Sequence, residues 1–340
     1  MTSSARRVLV VYNADYEDEA ASATDAKSVR DAAVGVIDGL RAIGHRVELV
    51  GVRGHDVGQL FERLRRDPPD LVFNQCESLA GDVRNEPLLP ALLELLRIPY
   101  TGAGPLAIGL CLHKERTKEV LVANGIPTPG HAVIAAPGDA ERAAGLGFPL
   151  FLKLAHQDAS VGIEAANVVP DRAALVARAG EMLERWREPV IAESYVDGRE
   201  VNVTLLGSGP RIECLPLHEI DFSAMPDGAP HIVAYAATWD PAHPAYRGTL
   251  PVPLRAIAAD AAAAIEAAAV AAFRALDLRD FGRVDLRVDA QGRPWVIDVN
   301  PNCDLSPDAG AARAARSAGI EYPQLLGRIC ELAWARTRRT

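Results

Sequence analysis

The stretch "GRPWVIDVNPN", residues 292–302, constrains the fold more than any other part of the chain. Trp295, Val296, Ile297 and Val299 are strand formers, so the run reads as a β-strand closed by Pro301. Asp298 and Asn300 sit at i and i+2 and therefore point to one face. Alone, that pair also fits a solvated sheet edge. A second strand, "GRVDLRVD", changes the balance, because Arg283 and Asp285 repeat the i, i+2 spacing. Two adjacent antiparallel strands of this kind bring two carboxylates, an amide and a guanidinium to a common face. Hard oxygen donors in that number suit Mg²⁺, which keeps waters and shares phosphate oxygens.

The rest of the chain supplies the frame. "RRVLVVYN", "HRVELVGV" and "DLVFN" read as buried strands of the parallel type. Between them lie two helices: "AKSVRDAAVGVIDGLRAIG", ended at Gly44, and "VGQLFERLRRD", stopped by Pro68 and Pro69. This β-α-β-α-β order predicts an open parallel sheet with right-handed crossovers. A further helix, "EPLLPALLELLRI", and the turn "PYTGAGP" complete an α/β unit over residues 1–105. Residues 106–196 differ. A basic helix "HKERTKEVLVANG", a strand–polar loop–strand "FPLFLKLAHQDASVGIEAAN", a helix "DRAALVARAGEMLERWRE" and a strand "PVIAESYV" predict a small α+β unit. Residues 197–340 hold "REVNVTLLG", "RIECLPLHEI" and the two polar-faced strands, with the Ala-rich helix "LRAIAADAAAAIEAAAVAAFRALD" between them. The fold class expected is therefore α/β and α+β.

Bulk properties exclude several functions. A length of 340 residues with 49% apolar side chains supports two or three domains with real cores. A net charge of −9 argues against nucleic acid as a partner. Cys76, Cys111, Cys214, Cys303 and Cys330 show no paired close spacing, against a cysteine zinc site and against a disulfide framework. No apolar run nears the length of a membrane span, and "MTSSARRVLVVYN" is too short for a signal peptide. A cytoplasmic protein without a membrane partner is expected.

Other residues carry chemistry. Lys153 stands inside the apolar strand "FPLFLKLA", which is costly unless its ammonium meets a fixed anion; a lysine that snorkels to the surface is the alternative. Ser160 follows in "HQDASVG", a loop whose backbone N–H groups and hydroxyl could fold over phosphates. With only Gly162 it is not a P-loop. "VIAESYVDGREVNV" places Glu193 at a strand end and Glu200 after a turn. These are either surface acids or a hinge that holds adenine by backbone groups and ribose by a carboxylate.

The order Lys114, Lys153, Ser160, Glu193, Glu200, Arg283, Asp285, Asp298, Asn300 resembles the ATP-grasp superfamily and, within it, is most similar to D-alanine–D-alanine ligases. The strings "LVFN", "LLELLRIPYTGAG", "HKERTK", "FPLFLK", "ASVG", "GRE", "GRVDL", "IDVNPN" and "AGIEYPQLL" carry the likeness across roughly residues 70 to 330. The resemblance implies a three-domain ATP-grasp fold: an N-terminal open parallel sheet, a central lid domain, and a C-terminal domain carrying the metal strands. ATP lies between the last two. It implies a ligase in which a carboxylate attacks the γ-phosphate of ATP, an amine attacks the resulting acyl phosphate, and ADP and phosphate leave. It also implies roles. Asp298 bridges two Mg²⁺ ions (Mn²⁺ can substitute), and Asp285 and Asn300 each complete one. Lys114 and Lys153 hold phosphates, and the Ser160 loop closes over them to exclude water. Arg283 stabilises oxygen charge at the tetrahedral intermediate. Glu200 takes the ribose, while Glu193, Tyr195 and Val196 frame adenine, largely through backbone. Small-molecule carboxylate and amine substrates and a homodimer are expected.

The substrate loops depart from the family. After the first strand, where the ligases have a short turn and then an acid for the first substrate's ammonium, this chain has "YNADYEDEAASATD". The acid's position falls near Lys27, and Asp15, Glu17, Asp18 or Asp25 could replace it. After the third strand the ligases' His-Gly pair is missing from "NQCESLAGDVRNE", which offers Glu77 instead. The loop for the second substrate's carboxylate reads "NPNCDLSPDAG", with Asp304 beside Leu305 and Ser306. The lid segment "YAATWD" has Thr238-Trp239 where a Lys is usual. Different substrates are therefore expected: an acidic or N-blocked carboxylate and an amine other than D-alanine. An authentic D-alanine–D-alanine ligase and a non-catalytic ATP-binding protein stay open as alternatives.

Overall fold

In the first strand, β1 (Arg7–Asn13), every residue after Arg7 is buried, as in a strand covered on both faces. The computed structural model describes residues 5–15, 23–157, 160–235, 243 and 248–337, with side chains in the first helix from 29 onward. β1 pairs in parallel with β2 (Arg46–Val52) and β3 (Leu71–Gln75), in the order β2-β1-β3. The crossovers are α1 (Ala23–Ala42) and α2 (Val57–Arg66). α3 (Leu88–Leu96) follows, and Tyr100 bridges Val72 in parallel, so "PYTGAGP" extends the sheet before it turns away. The last helix, α10 (Tyr322–Thr337), returns to this sheet. Its Leu325, Leu326, Ile329 and Trp334 share a core with Val8, Val10 and Phe73. Each such fully buried side chain stabilises by about 1.5–3 kcal/mol, and Trp334 Nε1 also donates to the Asp70 carbonyl (3.1 Å).

α4 (Pro105–Leu112) and α5 (Lys114–Ala123) lead to a second, antiparallel sheet. Its strands are β4 (His131–Ile134), β5 (Leu150–Leu154), β6 (Val168–Val169) and β7 (Val190–Ser194), in the order β4-β7-β5-β6. α6 (Ala140–Ala144) and α7 (Arg172–Trp186) share its core. The third sheet runs β11-β10-β8-β12-β13, with β9 paired to β8. These strands are β8 (Arg199–Ser208), β9 (Arg211–Cys214), β10 (His218–Asp221), β11 (Leu250–Pro253), β12 (Asp280–Val288) and β13 (Pro294–Asn300). α8 (Ala259–Ala275) buries Ile265, Ala268, Ala269, Ala272 and Phe273, the spacing of one helix face, in a core with Val201, Val203, Leu205, Val284 and Leu286. α9 (Gly310–Ser317) precedes α10. The mixed class and the open N-terminal parallel sheet are as expected. Among the described residues no helix is long and apolar enough to cross a membrane.

Three local readings change. "RIECLPLHEI" is two strands, because Pro216 between β9 and β10 has no N–H for a ladder. α4 and the short β11 had no counterpart in the periodicity; β11 contains Pro251 and Pro253 and survives because it is an edge strand. The third change matters for chemistry. The β12–β13 register places Asp285 opposite Asp298 but Leu286 opposite Val296, so Ile297 is an extra residue. This bulge lets Val296 face the core while Asp298 and Asn300 keep to the polar face.

Gly198, between β7 and β8, has φ +154, and a Cβ there would lie 2.1 Å from the Val288 carbonyl oxygen. Gly198→Ala is expected to cost about 1–3 kcal/mol, read as a lower thermal midpoint. An unchanged midpoint would show that the turn has room to relax.

Candidate active site

Alternation along β8 and β12 sends Val201, Val203 and Val284 into the α8 core and leaves a polar face on the other side. On that face Asn202 lies opposite Asp285, Thr204 opposite Arg283 and Glu200 opposite Arg287; β13 adds Asp298 opposite Asp285 and Asn300 opposite Arg283. The common face read from the two strand motifs is therefore present, and β8 extends it. Arg283 grips Asp285 with Nε to Oδ1 (2.8 Å) and Nη2 to Oδ2 (2.9 Å). Asn202 Nδ2 donates to Asp285 Oδ1 (2.7 Å) and Asn300 Nδ2 to Oδ2 (3.1 Å). With its NH₂ turned to Asp285, Asn300 has its amide oxygen as the remaining coordinating end.

Cations converge on this face from the second sheet and from α5. Lys114 Nζ lies 3.5 Å from Asp298 Oδ1. Lys153 Nζ donates to the Ile297 carbonyl (2.9 Å), the carbonyl of the bulged residue, and lies 2.9 Å from Glu193 Oε1. Burial pushes the Asp298 carboxyl up, but Lys114, Lys153 and Arg283 outweigh it and hold Asp298 below the ordinary carboxylate range. The Lys153 ammonium thus meets a fixed anion, not the surface.

One member of this cluster escaped the sequence reading. Lys118 Nζ lies 3.3 Å from Glu193 Oε1 and donates to Thr128 Oγ1 (2.9 Å), which donates to the Val296 carbonyl (2.7 Å). Lys118 and Glu193 are each 2% exposed. Its signal was the i+4 spacing from Lys114 on one helix face. Burial raises Glu193, and Lys118 and Lys153 more than reverse that, so its carboxyl stays below the usual range. Burial pushes Lys118 down to about 8. Between about 8 and the ordinary 10.5 the unfolded chain binds more protons at this residue than the folded one. Its contribution to stability therefore rises with pH across that window. The stability of wild type relative to Lys118→Met, followed by thermal melts, should rise with pH across it; a pH-independent difference would contradict the shift.

Glu200 is paired with Arg287 (3.1 Å), and burial raises its carboxyl in spite of that cation. Arg287 also donates to the carbonyls of Gly198 (3.1 Å) and His231, and its guanidinium lies over the Tyr195 ring. Tyr195 N donates to the Pro149 carbonyl (3.1 Å), and Val196 is half-buried beside it. Ser160 is half-buried with φ +61, and its carbonyl accepts from Ile163 N (3.0 Å).

The substrate residues divide. Glu17, the Lys27 side chain, Thr238 and Trp239 lie outside the described residues. Glu77 is exposed after β3, its N–H donating to Asn13 Oδ1 (3.1 Å) at the end of β1. Asn302 Nδ2 donates to Glu86 Oε1 (3.1 Å) and the Cys76 carbonyl (3.3 Å), which ties the loop after β13 to the same end of the parallel sheet. Ligands of such sheets sit at that end. Leu305 is 1% exposed, so its side chain belongs to the core and only its backbone can meet a ligand. Asp304 Oδ1 accepts from both Ser306 N (2.7 Å) and Ser306 Oγ. A separate cavity of about 860 Å³, lined by Leu206, Ile212, Arg328 and Leu332, holds none of these groups.

The family model described as D-ala D-ala ligase C-terminus matches residues 121–331, a span that includes Lys153, Glu193 and the whole polar face. The D-alanine--D-alanine ligase of Bordetella parapertussis is 32% identical over 322 residues, covering 90% of this chain and 96% of that one. The chain belongs to the D-alanine–D-alanine ligase family. The "Uncharacterized protein y4sG" of Sinorhizobium fredii is also 32% identical, over 311 residues, 88% of this chain and 87% of that one. A crystal structure of the D-alanine--D-alanine ligase from Bacillus anthracis superposes with a TM-score of 0.77 at 22% identity, over 98% of this chain and 99% of that one. The fold is accordingly ATP-grasp. As a member of the D-alanine–D-alanine ligase family, the protein is an ATP-dependent ligase that forms carbon–nitrogen bonds.

Proposed function

We propose that the polar face of β8, β12 and β13 is where this ligase joins a carboxylate to an amine, and that the amine is not D-alanine. The convergence of Lys114, Lys153 and Arg283 on Asp298 and Asp285 supports the nucleotide side of this reading. Lys114 and Lys153 hold the phosphates of ATP. Glu200, fixed by Arg287, takes the ribose. The Glu193 side chain is already engaged by two ammonium groups, so adenine meets the backbone at Tyr195 and Val196. Ser160 and its loop cover the phosphates and keep water from the acyl phosphate. Asp285, Asp298 and the amide oxygen of Asn300 form a hard-oxygen donor set that fits Mg²⁺, with Mn²⁺ as a substitute. When bound, the ion neutralises phosphate charge as the γ-phosphoryl group moves to the substrate carboxylate. Arg283 gives two N–H groups to Asp285 and has three more for oxygen charge that develops when the amine attacks.

The observation that carries the substrate proposal is the Asp304–Ser306 contact. A zwitterionic second amino acid needs donors for its carboxylate. Here the Ser306 N–H and hydroxyl are both given to Asp304, which brings a negative charge of its own. That loop repels a carboxylate and favours a donor-rich or cationic amine. The sequence count that puts the first-substrate position near Lys27 makes an acidic or N-blocked carboxylate the matching partner. The name of the Bordetella parapertussis relative favours a second reading, D-alanine for both substrates. Pairs of D- and L-amino acids and amines, incubated with ATP and Mg²⁺ and read by mass spectrometry, separate the two. D-alanyl-D-alanine should be a minor product. If it forms faster than every other product, the second reading holds. If no pair yields an amide, the chain binds ATP without making a bond.

A further inference from the structure

The geometry points to a second metal site, built from His113, Glu115 and His156, that takes a divalent transition-metal ion, zinc foremost. His113 Nδ1 lies 3.4 Å from Glu115 Oε1, and His156 Nε2 lies 3.8 Å from the same oxygen. Among the described residues this is the one group whose three donor atoms all lie within 4.8 Å of one another. Tetrahedral donors about 2.1 Å from a zinc ion stand roughly 3.4 Å apart, so little movement is needed to bind one. Two imidazoles and a carboxylate are a zinc donor set that leaves a fourth position for water or another ligand. A single alkaline-earth ion would prefer oxygen alone.

The local chain geometry explains why these residues meet. His113 caps α5 in a non-helical conformation (φ −93, ψ 89), and its side chain makes no capping bond. That kink brings it to Glu115, two residues on, which a continuous helix would turn to another side. His156 comes from the segment just after β5, docked by the Lys114 N–H to the Ala155 carbonyl (3.1 Å). The two imidazoles meet edge to face, 4.5 Å between centroids. Glu115 Oε2 is buried with no hydrogen-bond partner, while His113 is 45% exposed and opens the cluster to solvent. One oxygen of this carboxylate is unanswered and the other faces two imidazoles, which leaves the cluster a place for a cation.

The site is distinct from the nucleotide face, because the Lys114 ammonium reaches Asp298 while its two neighbours in sequence serve this cluster. An ion here would clamp the first turn of α5 to the strand end that feeds the Ser160 loop. It would thereby hold Lys114 and that loop in register.

The test uses the full chain, stripped with a chelator and free of nucleotide and Mg²⁺. Calorimetric titration with ZnCl₂ should show one equivalent bound at about 1 μM or tighter, and Co²⁺ should give the intense visible bands of a four-coordinate site. His156→Ala and Glu115→Gln should each weaken zinc binding by at least about 100-fold, roughly 2.7 kcal/mol. Asp298→Ala should bind as wild type does. Circular dichroism checks the fold, and His113→Asn, at the exposed ligand, serves as a third variant. Three results would overturn the proposal: no zinc bound below about 0.1 mM, equal binding by folded ligand variants, or loss of binding in Asp298→Ala alone.

Discussion

Asp298→Ala should lower ATP-dependent ligation by at least about 1000-fold while the protein stays folded. Removing a single group that stabilises transition-state charge typically costs about 100- to 1000-fold, and Asp298, as a proposed Mg²⁺ ligand, would hold the ion that supplies such charge. It lies opposite Asp285 and 3.5 Å from Lys114, and surrounding cations hold it ionised. An exposed acid with no such role would change stability by less than ~0.5 kcal/mol and leave the rate alone. Steady-state ADP formation, with circular dichroism as the fold check, measures both. Ligation at the wild-type rate would remove β13 from the catalytic face.

Arg283→Ala should cost about 100- to 1000-fold in kcat and change nucleotide affinity only a few-fold. Two of its N–H groups hold Asp285, and Asn202 and Asn300 hold the same carboxylate from other sides. Asp285 therefore keeps two donors when Arg283 is removed, and the nucleotide side keeps Lys114 and Lys153. What disappears is the cation that faces charge developing during bond formation. Nucleotide affinity by calorimetry and kcat by product formation separate these effects. Loss of nucleotide binding in step with activity would make Arg283 a phosphate clamp.

The polar face was legible in the sequence because a period of two needs no knowledge of partners: Arg283 with Asp285, and Asp298 with Asn300, must share a face of their strands. The bulge at Ile297 was not legible, since an extra residue exists only relative to the strand opposite. Without the bulge Val296 would share a face with Asp298, and no local pattern signals the shift. Lys118 was passed over for a related reason. In "HKERTKEVLVANG" it looks like one more charge on a solvated helix, and only the tertiary fold sets it against Glu193 of β7. His156 likewise has no sequence neighbour that marks it as a partner for His113 and Glu115. The split at Pro216 was legible in principle, because the proline stands inside the run that was read as one strand.

The fate of the substrate's carboxylate oxygen tests the ligase chemistry most directly, and it does not require the substrates to be known. The protein is incubated with ATP, Mg²⁺, a pool of amines and a pool of amino acids carrying ¹⁸O in their carboxylates, and the released phosphate is analysed by mass spectrometry. If the carboxylate attacks the γ-phosphate and the amine then displaces phosphate, one ¹⁸O enters phosphate for each ADP formed. Unlabelled phosphate at undiminished ADP formation would mean that water attacks ATP directly, and would contradict an acyl phosphate.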